Sequence, residues 1–230
     1  MDMYSRTRML IGDGVDKLKK SKVLVCGLGG VGGYVAEALA RAGIGHIDVL
    51  DNDVFSASNL YRQILATVDT VGRRKTEVAA ERIKSINPDC AVKAFDIFYT
   101  PQNSDRIDLS EYDYVADAID TVTSKIELIF RAKDCGVKII SCMGTGNKLG
   151  TEFRVADISK TKVCPLAKVM RKELKLRGIS GVKAVYSEEE PTVPDNTPFE
   201  CGRHIPASIS YAPAIAGMVL ASEIIKELIK

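Results

Sequence analysis

Five glycines crowd the stretch from Cys26 to Tyr34, and Gly27-Leu28-Gly29-Gly30-Val31-Gly32 spells G-x-G-x-x-G. Without Cβ atoms, such a turn brings backbone N–H groups and the positive end of a following helix against phosphate oxygens. Asp51 follows Gly32 by 19 residues, where a carboxylate ending a second strand accepts hydrogen bonds from ribose hydroxyls. On this fingerprint alone a dinucleotide is the commoner ligand, since the motif serves NAD proteins. The stretch from Asn52 to Gln63 shifts the reading, because redox chemistry has no use for it. Asn59 and Arg62, three apart on a predicted helical turn, can face one ligand together, and Lys75, 13 residues further on, adds a second cation. Such cations suit a nucleoside triphosphate, whose outer phosphates carry more charge than a dinucleotide's pyrophosphate. Arg73 and Arg74 precede Lys75, so three adjacent cations compete for that role. Asp117-Ala118-Ile119-Asp120 closes another predicted strand and sets carboxylates at the C-terminal edge of the sheet, where hard oxygen ligands near phosphates suit Mg²⁺.

These residues need a frame of strands that end together. The apolar run 22–26 reads as a buried strand, the glycine turn follows, residues 34–41 favour helix up to Gly43, and 46–50 form the next strand. That order is a βαβ unit of a doubly wound sheet. A helix over 74–85 closed by Asn87-Pro88, strands at 91–95 and 112–116, a helix over 124–133 and a strand at 137–142 continue the alternation. Beyond it lie a strand at 153–158, an amphipathic helix at 165–176 with apolar Leu166, Val169, Met170 and Leu174, a strand at 182–186, an acidic and proline-rich loop over 187–205, and a buried helix in the apolar stretch 205–221. The fold class expected is α/β: a Rossmann-like, mainly parallel sheet with an additional C-terminal αβ portion. The whole chain, 1–230, forms one domain, with an N-terminal segment at 1–20, a nucleotide-binding core at 21–150 and substrate-side elements at 151–230.

Composition narrows the class further. Two hundred and thirty residues with 46% hydrophobic and 27% charged content exclude disorder, collagen and coiled coil. A net charge of +2 gives no bulk field for nucleic acid, so any basic surface must be local. The first residues lack the apolar run of a secretory signal, and 205–221 is broken by Pro206, Ser208, Ser210 and Pro213, short of the roughly 20 residues that cross a bilayer. The expected setting is cytoplasmic, without a membrane. Six cysteines occur without a C-x-x-C pair and with only two histidines, which gives a structural zinc site little support.

The runs GLGGVGGYVAEALARAGIGHIDVLDND, NLYRQ, GRRK and DAID, in this order, resemble the adenylating ThiF/MoeB/HesA-like fold shared with ubiquitin-activating enzymes. The resemblance implies that Gly27, Gly29, Gly30 and Gly32 hold the phosphate turn, that Asp51 takes the ribose, that Asn59, Arg62, Gln63 and Lys75 surround the triphosphate of ATP, and that Asp120 binds Mg²⁺. Arg62, Lys75 and Asp120 would carry the catalysis. The segment Tyr4-Ser5-Arg6-Thr7-Arg8 resembles the family's opening, in which an arginine reaches the ATP site of a partner subunit, so a homodimer is implied with Arg6 or Arg8 acting in trans. A solvated chain end is the alternative for both arginines.

Three features sort the substrates within that family. The zinc-binding C-x-x-C pairs common in sulfur-carrier activators are missing, 230 residues leave no room for the extra domains of ubiquitin-activating enzymes, and the runs ISCMGTGNKLGTEFRVADISKTKVCPLAKVMRKELKLRGI, AVYSEEEP and CGRHIPASISYAPAIAGMVLASEIIKELI of the second half resemble the tRNA threonylcarbamoyladenosine dehydratases, a similarity that extends over nearly the whole chain. That resemblance implies ATP-dependent cyclisation of the threonylcarbamoyl group on an adenosine beside the tRNA anticodon. Adenylation of a ubiquitin-like or sulfur-carrier protein is the alternative, an NAD-linked oxidoreductase a third class, and some relatives also work with a sulfur-relay protein. For the tRNA, residues 159–178 carry seven basic side chains and one acid, and turning Leu166, Val169 and Leu174 inward leaves Lys162, Lys168, Arg171 and Lys172 outward as phosphate contacts. An ordinary solvated helix face reads equally well. Gly144-Thr145-Gly146-Asn147-Lys148 resembles a loop lining the family's site, or is a simple turn. Cys164 and Cys201 are candidates for a covalent intermediate, but an acyl adenylate cyclised by its own ureido group needs no enzyme thiol, and structural roles are preferred.

Overall fold

The apolar runs form the middle of one sheet. The computed structural model describes residues 2–192 and 206–230, with the backbone of 199–200 and 203–204. Two short helices, α1 (Ser5–Ile11) and α2 (Gly14–Lys20), lead into β1 (Lys22–Cys26), α3 (Gly32–Ala42), β2 (His46–Asp51), α4 (Lys75–Ile86), β3 (Ala94–Asp96) and β4 (Tyr114–Asp117). Then come α5 (Val122–Asp134), β5 (Lys138–Cys142), β6 (Arg154–Asp157), α6 (Pro165–Leu176), β7 (Lys183–Tyr186), a ribbon of β8 (Phe199–Glu200) with β9 (Arg203–His204), and α7 (Ala212–Leu228). The large sheet has the order β3-β2-β1-β4-β5-β7-β6, parallel throughout except for β6, which pairs antiparallel with β7.

Both faces of the sheet are covered, so its strands read as continuous apolar runs rather than alternating ones. Along β1, Val23 and Val25 pack with α3, α4 and α7, while Leu24 and Cys26 face α5 and α6. The chain order reverses on either side of β1, with β2 on one flank and β4 on the other, which opens a crevice at their carboxyl ends. Asp51, Asp117 and the glycine turn all emerge there.

Several expected boundaries shift for local reasons. Helix α3 starts at Gly32 rather than residue 34, because the second half of the glycine turn is already helical. The last helix begins at Ala212, not near 205, and runs on to Leu228: Pro213 takes its first turn, where a missing N–H costs nothing. The N-terminus is helical rather than a loose end. Tyr4 is buried against Gly43, whose φ of 92° suits the left-handed end of α3 and whose missing Cβ would lie 2.8 Å from the Tyr4 ring.

Helices α3 and α4 are joined by charge. Arg82 donates to both carboxylate oxygens of the buried Glu37 at 2.8 and 2.9 Å, and Arg41 donates to it at 2.8 Å. Burial pushes the Glu37 carboxyl up, but the Arg82 and Arg41 guanidiniums more than offset this, leaving it below the usual range. The folded pKa is therefore the lower one, so this contribution to stability is present above the unfolded value of about 4.3 and is lost as pH falls through the folded value. Arg82→Ala is expected to cost about 1–2 kcal/mol at neutral pH and less in acid, read from denaturant midpoints between pH 3 and 7. An equal loss at both ends of that range counts against the pairing.

Candidate nucleotide site

The glycines of the turn are small for different reasons. Gly27 has φ of 86°, and its missing Cβ would stand 2.7 Å from the Ala118 carbonyl oxygen. The Cβ missing from Gly32 would lie 1.7 Å from the Gly27 carbonyl oxygen, so no side chain fits while the turn stays closed. At Gly30 the neighbour is Pro213, 3.1 Å away. Gly29 differs: within 4 Å its missing side chain meets only Gln63 Nε2, at 3.9 Å. Among the described residues, the N–H groups of Gly29, Gly30 and Val31 find no protein acceptor. Free amides, an open side and the N-terminus of an eleven-residue helix together make an anion seat.

Asp51 braces this turn. Its Oδ2 accepts the Leu28 N–H at 2.6 Å and its Oδ1 the Asp53 N–H at 2.9 Å. The predicted ribose acceptor is therefore first a strut between the end of β2 and the turn, with remaining lone pairs for a ligand hydroxyl. Lys75 opens α4, nearly buried, with Nζ 2.9 Å from Asp53 Oδ2 and 4.0 Å from Asp51 Oδ1. The competition among three cations resolves at this point. Arg73 turns outward to Glu81 at 2.6 Å and Arg74 to Asp96 at 3.1 Å, which leaves Lys75 as the one directed toward the crevice. Asp53, to which the sequence reading gave no role, takes the Lys75 ion pair, and its alternation with Asp51 at the end of β2 was the available signal.

The segment after β2 forms a one-turn helix over Ala57–Asn59. Asn59 is buried and its Oδ1 accepts the Ser56 N–H at 3.1 Å, so part of its role is to cap this turn. Arg62 is half-buried, donates to the Ser58 carbonyl at 2.9 Å and lies over the Tyr61 ring. Gln63 is 5% exposed and its Oε1 has no partner among the described residues. A buried amide oxygen left unpaired beside an open glycine points to a ligand that completes it. The glycines, Asp51, Arg62, Gln63 and Lys75 thus share one crevice.

The two carboxylates after β4 separate. Asp117 is fully buried and paired with Lys125, so it is unavailable to a ligand, whereas Asp120 is exposed on the following turn and holds only a 3.3 Å contact from Thr121 Oγ1. No group of three or more metal-binding side chains occurs among the described residues. One exposed carboxylate at the carboxyl edge of the sheet has the chemistry that could serve Mg²⁺, which takes one or two carboxylates and completes its shell with phosphate oxygens and water.

The second half of the chain closes the edge. Asn147, with φ of 59°, donates its N–H to the Ala207 carbonyl at 2.7 Å and accepts the Ala207 N–H on Oδ1 at 2.7 Å, while its carbonyl takes the Thr192 N–H at 2.8 Å. Lys148 is buried, its Nζ donating to the Glu189 carbonyl at 2.6 Å. The loop over 144–148 is therefore an anchored structure and not a bare turn. Cys164 is buried at the start of α6, and Cys201 lies outside the described residues. Burial pushes the Cys142 thiol up to about 12 and that of Cys26 well above its ordinary value, which makes both poor nucleophiles.

The expectation for α6 needs correction. On α6 the buried residues are Ala167, Met170 and Leu174, with Leu166 partly covered and Val169 exposed. The stripe is rotated from the predicted one, and Arg171 is drawn inward, donating through Nη1 to the Thr161 carbonyl at 2.9 Å. Lys162, Lys168 and Lys172 remain exposed. At the N-terminus Arg8 is held by both oxygens of Asp16, at 2.7 and 2.8 Å, while Arg6 is exposed and has no partner among the described residues. A cavity of about 430 Å³ opens at the opposite, N-terminal edge of the strands. Its buried Asp48 is already satisfied by Tyr112, Lys93 and His46, so it is no rival to the glycine crevice.

Comparison with known proteins gives three concordant results. The model of the ThiF family matches residues 4–230. A Bacillus subtilis protein named tRNA threonylcarbamoyladenosine dehydratase is 37% identical over 243 residues, covering 100% of this chain and 96% of its own, and its Escherichia coli namesake is 40% identical over 188 residues, covering 78% and 70%. The crystal structure of the Escherichia coli tRNA N6-threonylcarbamoyladenosine dehydratase, TcdA, in complex with ATP superposes with a TM-score of 0.88 at 34% identity, over 98% of this chain and 93% of that one.

Proposed function

Because the chain belongs to the ThiF family, and within it to the tRNA threonylcarbamoyladenosine dehydratases, we infer that it uses ATP to cyclise N6-threonylcarbamoyladenosine in tRNA, with net loss of water. The observation that carries the site assignment is the open face of Gly29, with unpaired amides, the orphaned Gln63 Oε1 and Lys75 around it.

The chemistry follows from the leaving group. A carboxylate would have to expel oxide, whereas an acyl adenylate expels AMP, whose charge is delocalised. The substrate carboxylate attacks the α-phosphorus, the bond to the β-phosphate oxygen breaks and pyrophosphate departs. The neighbouring ureido group then attacks the activated carbonyl and releases AMP. In this reading the glycine-turn amides hold the phosphates in line, Asp51 accepts from the ribose, and Arg62 and Lys75 neutralise charge that grows on pyrophosphate. Asn59 keeps the turn that presents Arg62. Asp120 would hold Mg²⁺, which when bound screens the phosphate oxygens from the incoming carboxylate. None of these steps calls on a thiol.

The remaining partners are proposed on similar grounds. Arg6, rather than the tethered Arg8, is the cation free to reach a second copy in a homodimer, and exposed Met3, Met9 and Leu10 beside it supply apolar contact. Lys162, Lys168 and Lys172 contact tRNA phosphates; Arg171 is withdrawn from that set. No helix among the described residues is long and apolar enough to cross a membrane. The free thiols of Cys26, Cys90, Cys135, Cys142 and Cys164 support a reducing, cytoplasmic setting.

Incubation with tRNA bearing the modified adenosine and ATP, followed by mass spectrometry of the nucleosides, is expected to show loss of water that requires both protein and ATP. Relatives named adenylyltransferase and sulfurtransferase UBA4 reach 40% identity over 59% of this chain, which keeps a protein substrate and a sulfur-relay partner as the second reading. ATP–pyrophosphate exchange that depends on a ubiquitin-like protein and ignores tRNA would favour it.

A further inference from the structure

Strand β4 ends in a buried charge that the reaction does not use. Asp117 and Lys125 are both 0% exposed, with Lys125 Nζ 2.9 Å from Asp117 Oδ2, and Ser141 Oγ of β5 donates to the same oxygen at 2.6 Å. Burying two charges is costly, and an apolar pair of similar volume is often at least as stable, so packing alone gives no reason for this pair. What it does hold is backbone. Asp117 Oδ1 accepts the Ile119 N–H at 3.1 Å, and Lys125 Nζ donates to the Ile119 carbonyl at 3.0 Å. Both polar groups of Ile119 are thus fixed by the two members of one ion pair.

The next residue is Asp120. On the other side of the turn, Ala118 donates its N–H to the Cys26 carbonyl at 2.8 Å, and its own carbonyl fills the notch left by Gly27. Ala118 and Ile119, the two residues that lead into Asp120, are therefore clamped between the phosphate turn and the Asp117–Lys125 pair. We propose that Lys125, acting with Asp117, is a positioning residue that sets the Asp120 carboxylate against the triphosphate seat, and so fixes the protein's demand for Mg²⁺. This rests on the reading of Asp120 as the metal ligand. Lys125 is fully buried, so in this proposal it acts only through the Ile119 backbone and Asp117.

Lys125→Met alone leaves Asp117 buried and unpaired, so the informative variant is Asp117→Asn/Lys125→Met, which removes both charges and keeps the volume. Thermal unfolding monitors its fold, and calorimetry measures ATP binding in EDTA and across a Mg²⁺ titration, with Asp120→Ala in parallel. The expected result is parental ATP affinity in EDTA and a half-saturating Mg²⁺ concentration raised roughly 10–100-fold, the range for loss of a supporting partner behind a metal ligand. Adding Asp120→Ala to the double variant should raise it no further, since both act through one carboxylate. Parental Mg²⁺ dependence in a folded double variant, with altered dependence in Asp120→Ala, overturns the proposal alone. Equal weakening of ATP with and without Mg²⁺ overturns it too, because the pair would then support the pocket as a whole. If Asp120→Ala itself keeps the parental dependence, the metal reading falls and takes the proposal with it.

Discussion

Gly29→Ala is expected to unfold at the parental temperature and to bind ATP roughly 10–100-fold more weakly, whereas Gly32→Ala is expected to lose the turn itself. The two glycines lie three residues apart in one motif, yet their surroundings are opposite. A methyl at Gly29 enters space that no atom of the protein occupies, and the backbone there has no positive φ to strain. It meets only what the free amides would bind, and losing one charge-assisted hydrogen bond of about 1.5–3 kcal/mol gives roughly the stated range. A methyl at Gly32 would sit 1.7 Å from the Gly27 carbonyl oxygen, so α3 must shift away from β1, with a cost above about 4 kcal/mol. Thermal unfolding and calorimetric ATP titration separate the two effects. A Gly29→Ala protein with parental ATP affinity would remove the phosphate seat from this turn, and a Gly32→Ala protein of parental stability would remove the steric account.

Arg62→Ala and Lys75→Ala should each lower kcat/KM for dehydration by about 10²–10³, the usual cost of removing one group aimed at developing transition-state charge. The mechanism places both cations on departing pyrophosphate, so the loss should appear in ATP–pyrophosphate exchange as well as in tRNA product. Arg62→Lys is not expected to restore activity fully. An ammonium cannot reproduce a planar fork that donates to the Ser58 carbonyl, lies over Tyr61 and still reaches a phosphate. Lys75→Ala carries a second cost, because Asp51 and Asp53 then face each other without their cation. Parental turnover in either alanine variant would defeat the assignment of that residue.

The parallel core was legible because its signals are local. An apolar run, a glycine turn and an alanine-rich helix can each be recognised within a dozen residues, and β1, α3 and β2 occupy the predicted ground to within two residues. The seven strands of the large sheet were all anticipated, but the insertion of β7 between β5 and β6 is a long-range pairing that no local pattern encodes. Residues at the site were readable by type and spacing. Their partners were not: Lys125 on Asp117, Asp53 on Lys75 and Thr161 on Arg171 are meetings between separate elements. Helix α1 was missed because none of its own residues is buried, so its anchor, Tyr4 against Gly43, lies just outside the pattern that helix recognition reads. Of the apolar positions read on α6, Met170 and Leu174 are interior and Val169 is not, and the buried Ala167 extends the stripe where its small side chain gave no signal.

Asn147 grips Thr192 with its carbonyl and Ala207 with its side chain, so the two ends of the intervening stretch are pinned to a single point of the floor. Closing a chain between fixed ends grows costlier only logarithmically, about 0.6 kcal/mol per doubling of length. One residue therefore keeps Thr192 and Ala207 side by side, and the entropy of closing the chain between them depends only weakly on how many residues lie in between.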